Sequence, residues 1–190
     1  MQTPQSNCNS RSKAPSVERQ LEIQQAPRHL QNSIIPVTNK PMQIALRPAV
    51  TQDFEYCERL YFSGMKTIIK ELHLDIATQT ITFREQWIVT EVRIITANGS
   101  DVGWLQTAVR DDALFVAQLF VDGPFQRQGI GTEVMNRLIG EAALLSRAVH
   151  LAVVKINPAL RLYERLGFQT THEDDRKFYM KRDPDSAVST

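Results

Sequence analysis

The sequence predicts a single α/β domain built on a mixed sheet. Three observations carry this prediction. Strand-like and helix-like runs follow one another in the order β, α, α, β, β, β, α, β, α, β, β. One run, Ala113–Val121, is almost wholly apolar, as a centrally buried strand must be. That run leads through "QRQGIGT", Gln126–Thr132, into an amphipathic helix, so strand and helix meet at a loop carrying two glycines.

Each element has its own signal. "MQIALRPA" opens the folded part, with Ile44 and Leu46 alternating with polar neighbours as in a short strand. Thr51 is the expected N-cap of the next helix, where Phe54, Leu60, Tyr61, Met65, Ile68, Ile69 and Leu72 recur at helical spacing. Gly64 predicts a bend or break in that helix. "DIATQTITFREQW" predicts a second short helix, although its threonines also suit a strand. "EVRIITANGSDVGWLQTAVRDDALFVAQLFV" predicts three strands, turning at Asn98-Gly99 and at Asp111-Asp112. After the glycine loop, Ile130, Val134, Leu138, Ala142 and Leu145 repeat every three or four residues and mark a helix. "VHLAVVK" is a further apolar strand. "NPALRLYERLG" predicts a short helix with Asn157 at its N-cap, Pro158 at its first position and Gly167 just past its end. "FQTTH" and "RKFYMKR" predict a final hairpin around the acidic loop Glu173–Asp175.

Composition bounds the function. The chain has 190 residues, 42% apolar and 23% charged, which is ordinary for one globular domain. A formal charge of +1 supplies no strong field for nucleic acid or an anionic membrane. No apolar run reaches bilayer length, and the N-terminus lacks the apolar core of a secretory signal. Cys8 and Cys57 lie far apart, so a disulfide framework is not expected and a reducing cytoplasm is the simpler setting. No His/Cys cluster has metal-ligand spacing. Residues 1–41 are rich in Gln, Asn, Ser and Pro and bury too little apolar surface to offset the entropy of ordering. They are expected to be a disordered tail, or to be absent if translation starts at Met42. Residues 42–184 form the expected domain, and 185–190 a flexible C-terminus.

The two glycines of "QRQGIGT" point to an anion. A helix N-terminus offers unpaired N–H groups and a partial positive charge, and a bare backbone lets a phosphate approach them. The P-loop pattern is excluded because no lysine follows the glycines, and the dinucleotide fingerprint because Val134 stands where its third glycine belongs. Gln126, Gly129 and Gly131 do match Gln/Arg-x-x-Gly-x-Gly/Ala in full. A glycine-rich turn with no ligand is the competing reading of the motif taken alone.

The motif is not alone. With "LFVDGPFQRQGIGT" followed one helix and one strand later by "NPALRLYERLGF", the chain resembles the GNAT superfamily of acetyl-CoA-dependent N-acetyltransferases. The resemblance covers about residues 42–183. It implies a mixed, mostly antiparallel sheet flanked by about four helices, with splayed central strands. It implies that Leu119, Phe120 and Val121 end the strand beside the splay and offer backbone to the pantetheine arm of acetyl-CoA, the acetyl donor. It implies that Gln126, Arg127, Gln128, Gly129, Ile130, Gly131 and Thr132 cradle the pyrophosphate. Arg127 is either a phosphate contact or a solvated surface residue. Asn157 would cap its helix and could also touch the pantetheine. Tyr163 matches the tyrosine that many members use as general acid to the departing thiolate; the competing reading is a core residue beside Leu160 and Leu166.

The acceptor implied is a primary amine, with a small molecule favoured over a protein amine. An alkyl amine with pKa near ~10.4 is mostly protonated at pH 7, which adds roughly 4–5 kcal/mol to the barrier. A general base offsets part of this. Glu71, His73, Asp75 and Glu85 lie in the region that lines the acceptor cleft in the family. Glu85 is the candidate taken, because Trp87 beside it would partly desolvate it. Glu173, Asp174 and Asp175 would attract a cationic acceptor, or simply form a solvated loop. Cys57, on an apolar helix face, reads as core. A non-catalytic acyl-CoA sensor is the alternative from a different class, and a homodimer is compatible with the resemblance.

Overall fold

The computed structural model describes residues 41–184. The expected tail up to residue 40, with Cys8, and the C-terminal residues 185–190 lie outside the described residues. The elements are β1 (Ile44–Pro48), α1 (Phe54–Glu71), α2 (Ile76–Gln86), β2 (Val92–Ala97), β3 (Ser100–Arg110), β4 (Ala113–Val121), α3 (Ile130–Leu144), β5 (Val149–Val154), α4 (Leu160–Arg165), β6 (Gln169–Glu173) and β7 (Lys177–Arg182). This is the order the sequence predicts. The sheet runs β1-β2-β3-β4-β5-β7-β6. Only β4 and β5 pair in parallel, and every other neighbouring pair is antiparallel. β4 is the central strand, as its apolar run requires.

Strand alternation divides the core between the two faces of the sheet. Ile95 and Leu105 pack with Val134, Met135 and Leu138 of α3, and with Leu151, Tyr163 and Phe168. Their neighbours Ile94 and Trp104 point the other way, onto Cys57, Leu60 and Tyr61 of α1 and Phe83 of α2. Each such buried side chain contributes about 1.5–3 kcal/mol of transfer free energy. Cys57 is fully buried, and burial pushes its thiol up to about 12, in keeping with a core residue rather than a nucleophile. The β2–β3 and β3–β4 turns follow from their residues: Asn98 and Gly99 have φ of 51° and 85°, and Asp111 and Asp112 have 48° and 59°.

Three local expectations need correction. α1 runs unbroken through Gly64. A Cβ there would lie 2.8 Å from the ring of Phe120 on β4, so this glycine serves close helix–strand packing, not a bend. Thr51 does not cap α1; it begins a short 3-10 turn, Thr51–Asp53. The Asp53 carboxylate instead accepts the Val50 N–H at 2.8 Å and pairs with Arg47 at 2.8 Å, and Arg47 also reaches Asp101 at 2.7 Å. Asn157 acts one turn before α4: its Oδ1 accepts the Ala159 N–H at 2.9 Å, and the helix proper starts at Leu160. Gly167, at φ 80°, ends it as expected. Among the described residues no helix is long and apolar enough to cross a membrane.

Candidate active site

The central strands separate. β4 and β5 pair only from Leu114–Val149 to Val116–Leu151. β4 continues to Val121 and β5 to Val154 with no rung between them. Each is held on its outer side, β4 by β3 as far as Gly103–Val121 and β5 by β7 as far as Val154–Lys177. The cause lies in β4 itself. Val116 pairs with Thr107 and Gln118 with Gln106, so Ala117 is an extra residue in the strand, a β-bulge. A bulge bends a strand and sharpens its twist, and this one falls where β4 leaves β5. Leu119, Phe120 and Val121 therefore border a fixed fork with backbone groups free of a strand partner on that side.

β4 delivers the chain from the fork to the glycine loop. The Asp122 carboxylate accepts the Gly123 N–H at 2.7 Å and starts a short 3-10 turn, Gly123–Phe125. Gln126 Nε2 donates to the Val121 carbonyl at 2.8 Å, and Gln128 Nε2 to the Pro124 carbonyl at 2.8 Å. These two side chains brace the loop, a role that the spacing of the motif does not reveal. Arg127, exposed at φ 60°, and Gly129, at φ 84°, turn the chain into α3. The first bond closing α3 runs from Glu133 N–H to the Gly129 carbonyl at 3.0 Å. The amides of Ile130, Gly131 and Thr132 thus have no intrahelical acceptor and form the positive end of the helix. A Cβ on Gly129 would meet nothing within 4 Å, so the loop is open on its outer side, while one on Gly131 would touch Leu162 Cδ2 at 3.4 Å. Main-chain donors at an open helix start fit a phosphate group, and no bulky side chain is packed over Gly129.

Tyr163 lies on α4 and belongs to the α3-side core, with 8% of its surface exposed. Its ring meets Phe168 at 5.9 Å between centroids. Burial pushes its phenol up to about 12, so it is a proton donor at any neutral pH. Asn157, half-buried in the β5–α4 connection, uses its Oδ1 in the turn and keeps its Nδ2 as a donor.

The carboxylates named from the sequence are not gathered. Glu85 is exposed on α2, so the desolvation expected from Trp87 does not occur. Residues two apart at a helix end diverge, and here Trp87 turns onto Phe54, 5.2 Å away, while Glu85 faces outward. Asp75 is exposed and caps α2, accepting the Thr78 N–H at 2.7 Å, and that bonding holds it below the usual carboxylate range. Glu71 and His73 are exposed. In the final loop, Glu173 pairs with Lys155 at 3.2 Å. Asp174 accepts the N–H groups of Arg176 and Lys177 at 2.8 and 2.7 Å and the Tyr179 hydroxyl at 2.9 Å. Both carboxylates are engaged within this hairpin or with β5.

A cleft of about 360 Å³ opens beside the fork, on the sheet face opposite α3. Phe115 of β4, His150 and Ala152 of β5, Tyr179 of β7 and His172 of β6 line it. The rings of Phe115 and His150 lie 5.0 Å apart, and His172 stacks on Tyr179 at 4.2 Å and 6°. Arg110 and Lys177 also contribute, and no Asp or Glu lines it. Burial, with Lys181 nearby, lowers the pKa of His150. Neither histidine was a sequence candidate. The signal available was the single polar side chain inside "VHLAVVK", which a strand must direct to one face.

Comparison with known proteins places these features in a family. Residues 84–170 match the model of the acetyltransferase (GNAT) domain. That segment holds the bulge, the fork, the glycine loop, Asn157 and Tyr163. An uncharacterised N-acetyltransferase of Methanocaldococcus jannaschii is 26% identical over 152 residues, 73% of this chain. The match spans 66% of that relative's length. Among solved structures, the PaiA N-acetyltransferase of Thermoplasma acidophilum, in complex with coenzyme A, superposes with a TM-score of 0.62 at 14% identity, over 75% of this chain and 99% of that one. The ribosomal-protein-S18-alanine N-acetyltransferase of Escherichia coli superposes with a TM-score of 0.56 at 20% identity, over 78% and 98% of the two chains. At these identities the two structures share a fold.

Proposed function

Because this chain belongs to the GNAT superfamily of acetyltransferases, we propose that it transfers an acetyl group directly from acetyl-CoA to a primary amine of a small molecule. The observation that carries the reading is the fork between β4 and β5, which leads through Val121 into a loop of unpaired amides. A strand edge and an anion cradle in sequence suit a ligand with a peptide-like arm and a pyrophosphate.

In this reading the amides of residues 127–132 hold the pyrophosphate, with Gln126 and Gln128 fixing the loop. The backbone of Leu119–Val121 pairs with the pantetheine, and Asn157 Nδ2 donates to it from the opposite lip. Bound acetyl-CoA supplies the acyl carbon already activated as a thioester. Backbone N–H groups near the bulge polarise its carbonyl, and the fork walls align it with the amine. Tyr163 donates its phenolic proton to the departing sulfur. The cleft volume, about 360 Å³, falls within the range of roughly 300–1,000 Å³ usual for small-molecule pockets, and this supports a small acceptor.

The test is thiol release from acetyl-CoA across a panel of amines. Polyamines, amino acids and arylalkylamines form the small-molecule side. The likeness to an alanine N-acetyltransferase makes a peptide with N-terminal alanine the protein-side member. Turnover with a small amine is expected. Tight coenzyme A binding without turnover on any acceptor would instead identify a sensor, and preference for the peptide a protein acetyltransferase.

A further inference from the structure

The fork opens just past the rung Val116–Leu151, and the β5 side chains beside it on the cleft face are His150 and Ala152. They alternate with Val149, Leu151 and Val153, which belong to the α3-side core. Ala152 and the bulge residue Ala117 are small and exposed, so the floor at the fork is low. His150 rises on one side of it, against Phe115 at 5.0 Å. Ala152 stands in register with Tyr179, so the stacked Tyr179–His172 pair forms the far wall.

We propose that His150 is the general base that takes the proton from the attacking amine. The inference rests on the acetyl-transfer reading above. It follows first from elimination within the cleft. The titratable side chains lining it are Arg110, His150, His172, Lys177 and Tyr179. Arginine and lysine side chains offer donors and no acceptor, and the Tyr179 hydroxyl donates to Asp174. That leaves the two imidazoles. His172 sits on β6, two strand spacings or about 10 Å beyond β5, with its Nδ1 against Thr171 Oγ1 at 3.1 Å. His150 sits on β5, about 7 Å along the strand from Ala152 at the fork.

The surroundings of His150 keep it ready to accept. β4 presents the uncharged Phe115 and α2 the uncharged Gln86. β7 presents Lys181, in register with His150 and paired with Asp183 at 2.6 Å, and the β3 end presents Arg110. Burial acts most strongly and Lys181 acts with it, while Asp183 opposes them, and the net effect is a pKa below the ordinary histidine value. The neutral, proton-accepting form of the imidazole is thereby favoured. In the transfer step the amine nitrogen forms a bond to the acyl carbon, and the C–S bond breaks with its electron pair leaving on sulfur. His150 receives the amine proton, Tyr163 supplies one to sulfur, and solvent restores both groups. His150 faces the cleft and Tyr163 packs into the opposite face, so the two proton transfers occur on either side of the sheet.

The experiment measures kcat/KM against pH for wild type, His150→Gln and His172→Gln, with coenzyme A affinity measured alongside. Imidazole Cε1–H resonances are followed by NMR with and without coenzyme A. Wild type should show an acidic limb matching the His150 titration, and the His150 resonance should move when coenzyme A is added. His150→Gln should lose that limb and fall about 10²–10³-fold in kcat, with coenzyme A affinity unchanged and partial rescue by added imidazole. His172→Gln should keep the limb and kcat at saturating amine, with its loss of kcat/KM confined to a raised amine KM. A His150→Gln enzyme that retains both limb and rate, or a His150 resonance indifferent to coenzyme A, would overturn the base while leaving acetyl transfer standing. A wild type that binds coenzyme A yet acetylates no amine would overturn the transfer reading and the base with it.

Discussion

Two regions meet at the β4–β5 fork and are made of different materials. On the proposed donor side, the groups offered are main-chain amides of the Gln126–Thr132 loop and the free edge of Leu119–Val121, set by a bulge at Ala117 and an αL glycine at 129. On the proposed acceptor side they are side chains, Phe115, His150, His172 and Tyr179, projected from β4, β5, β6 and β7 in turn. A backbone site tolerates many side chains but few backbone conformations. A side-chain site is the reverse. Substitutions should therefore separate donor binding from acceptor chemistry.

The largest effect is expected where the backbone site has least freedom. Gly129 has φ 84°, a conformation that costs an L-residue about 1–2 kcal/mol and a β-branched one more. Gly129→Val forces the loop out of the αL turn or places a branched side chain over the open amides. Acetyl-CoA affinity, read by calorimetry, should fall at least about 100-fold, roughly 3 kcal/mol of binding. The variant should still unfold cooperatively, because a Cβ at 129 meets no protein atom within 4 Å. A folded variant with wild-type affinity would place the cradle elsewhere and leave the donor side without a backbone site.

A smaller effect is expected from Tyr163→Phe, which leaves the donor site intact and removes a proton donor. The rate constant kcat should fall about 10²-fold with acetyl-CoA affinity unchanged. A general acid works only while protonated, so activity is lost as pH rises through its pKa. With the phenol pushed up to about 12, wild type should show no alkaline loss assignable to Tyr163 between neutral pH and about pH 10. If kcat is unchanged, Tyr163 is a core residue, and the buried ring beside Phe168 accounts for it fully.

The same contrast explains what the sequence disclosed. Element order, the hairpin turns, the central place of β4 and the glycine loop were legible because each depends on residues close together in the chain. Asn98-Gly99 makes its turn from its own φ angles, and Gly129 does the same. The fork was legible only through resemblance, since the bulge at Ala117 depends on how β4 registers against Gln106 and Thr107 of another strand. Gly64 was misread because its reason, the ring of Phe120, stands 56 residues away in sequence. Glu85 was misplaced because neighbours in sequence need not share a helix face. His150 was missed because α1 and α2 pack over Trp104 and Phe120 and leave β5 to the cleft, a fact of packing that no local window contains.

The smallest effect should come from the support beneath the acceptor wall. Asp174 ties the β6–β7 turn to the Tyr179 hydroxyl, and backbone N–H bonds from Arg176 and Lys177 together with that hydroxyl hold its carboxyl below the usual range. A carboxyl whose pKa is lower in the folded than in the unfolded chain adds stability above its unfolded value and loses it as pH falls through the folded one. Asp174→Asn should therefore lower Tm slightly at pH 7, and the difference from wild type should shrink as the solution is acidified below the ordinary carboxylate range. The amine KM should rise a few-fold, because the Tyr179–His172 stack loses its anchor, while kcat at saturating amine and acetyl-CoA affinity stay near wild type. A change in donor affinity here would mean that the two sides of the fork are coupled through β7, whose Lys177 lies in register with Val154 at the far end of β5.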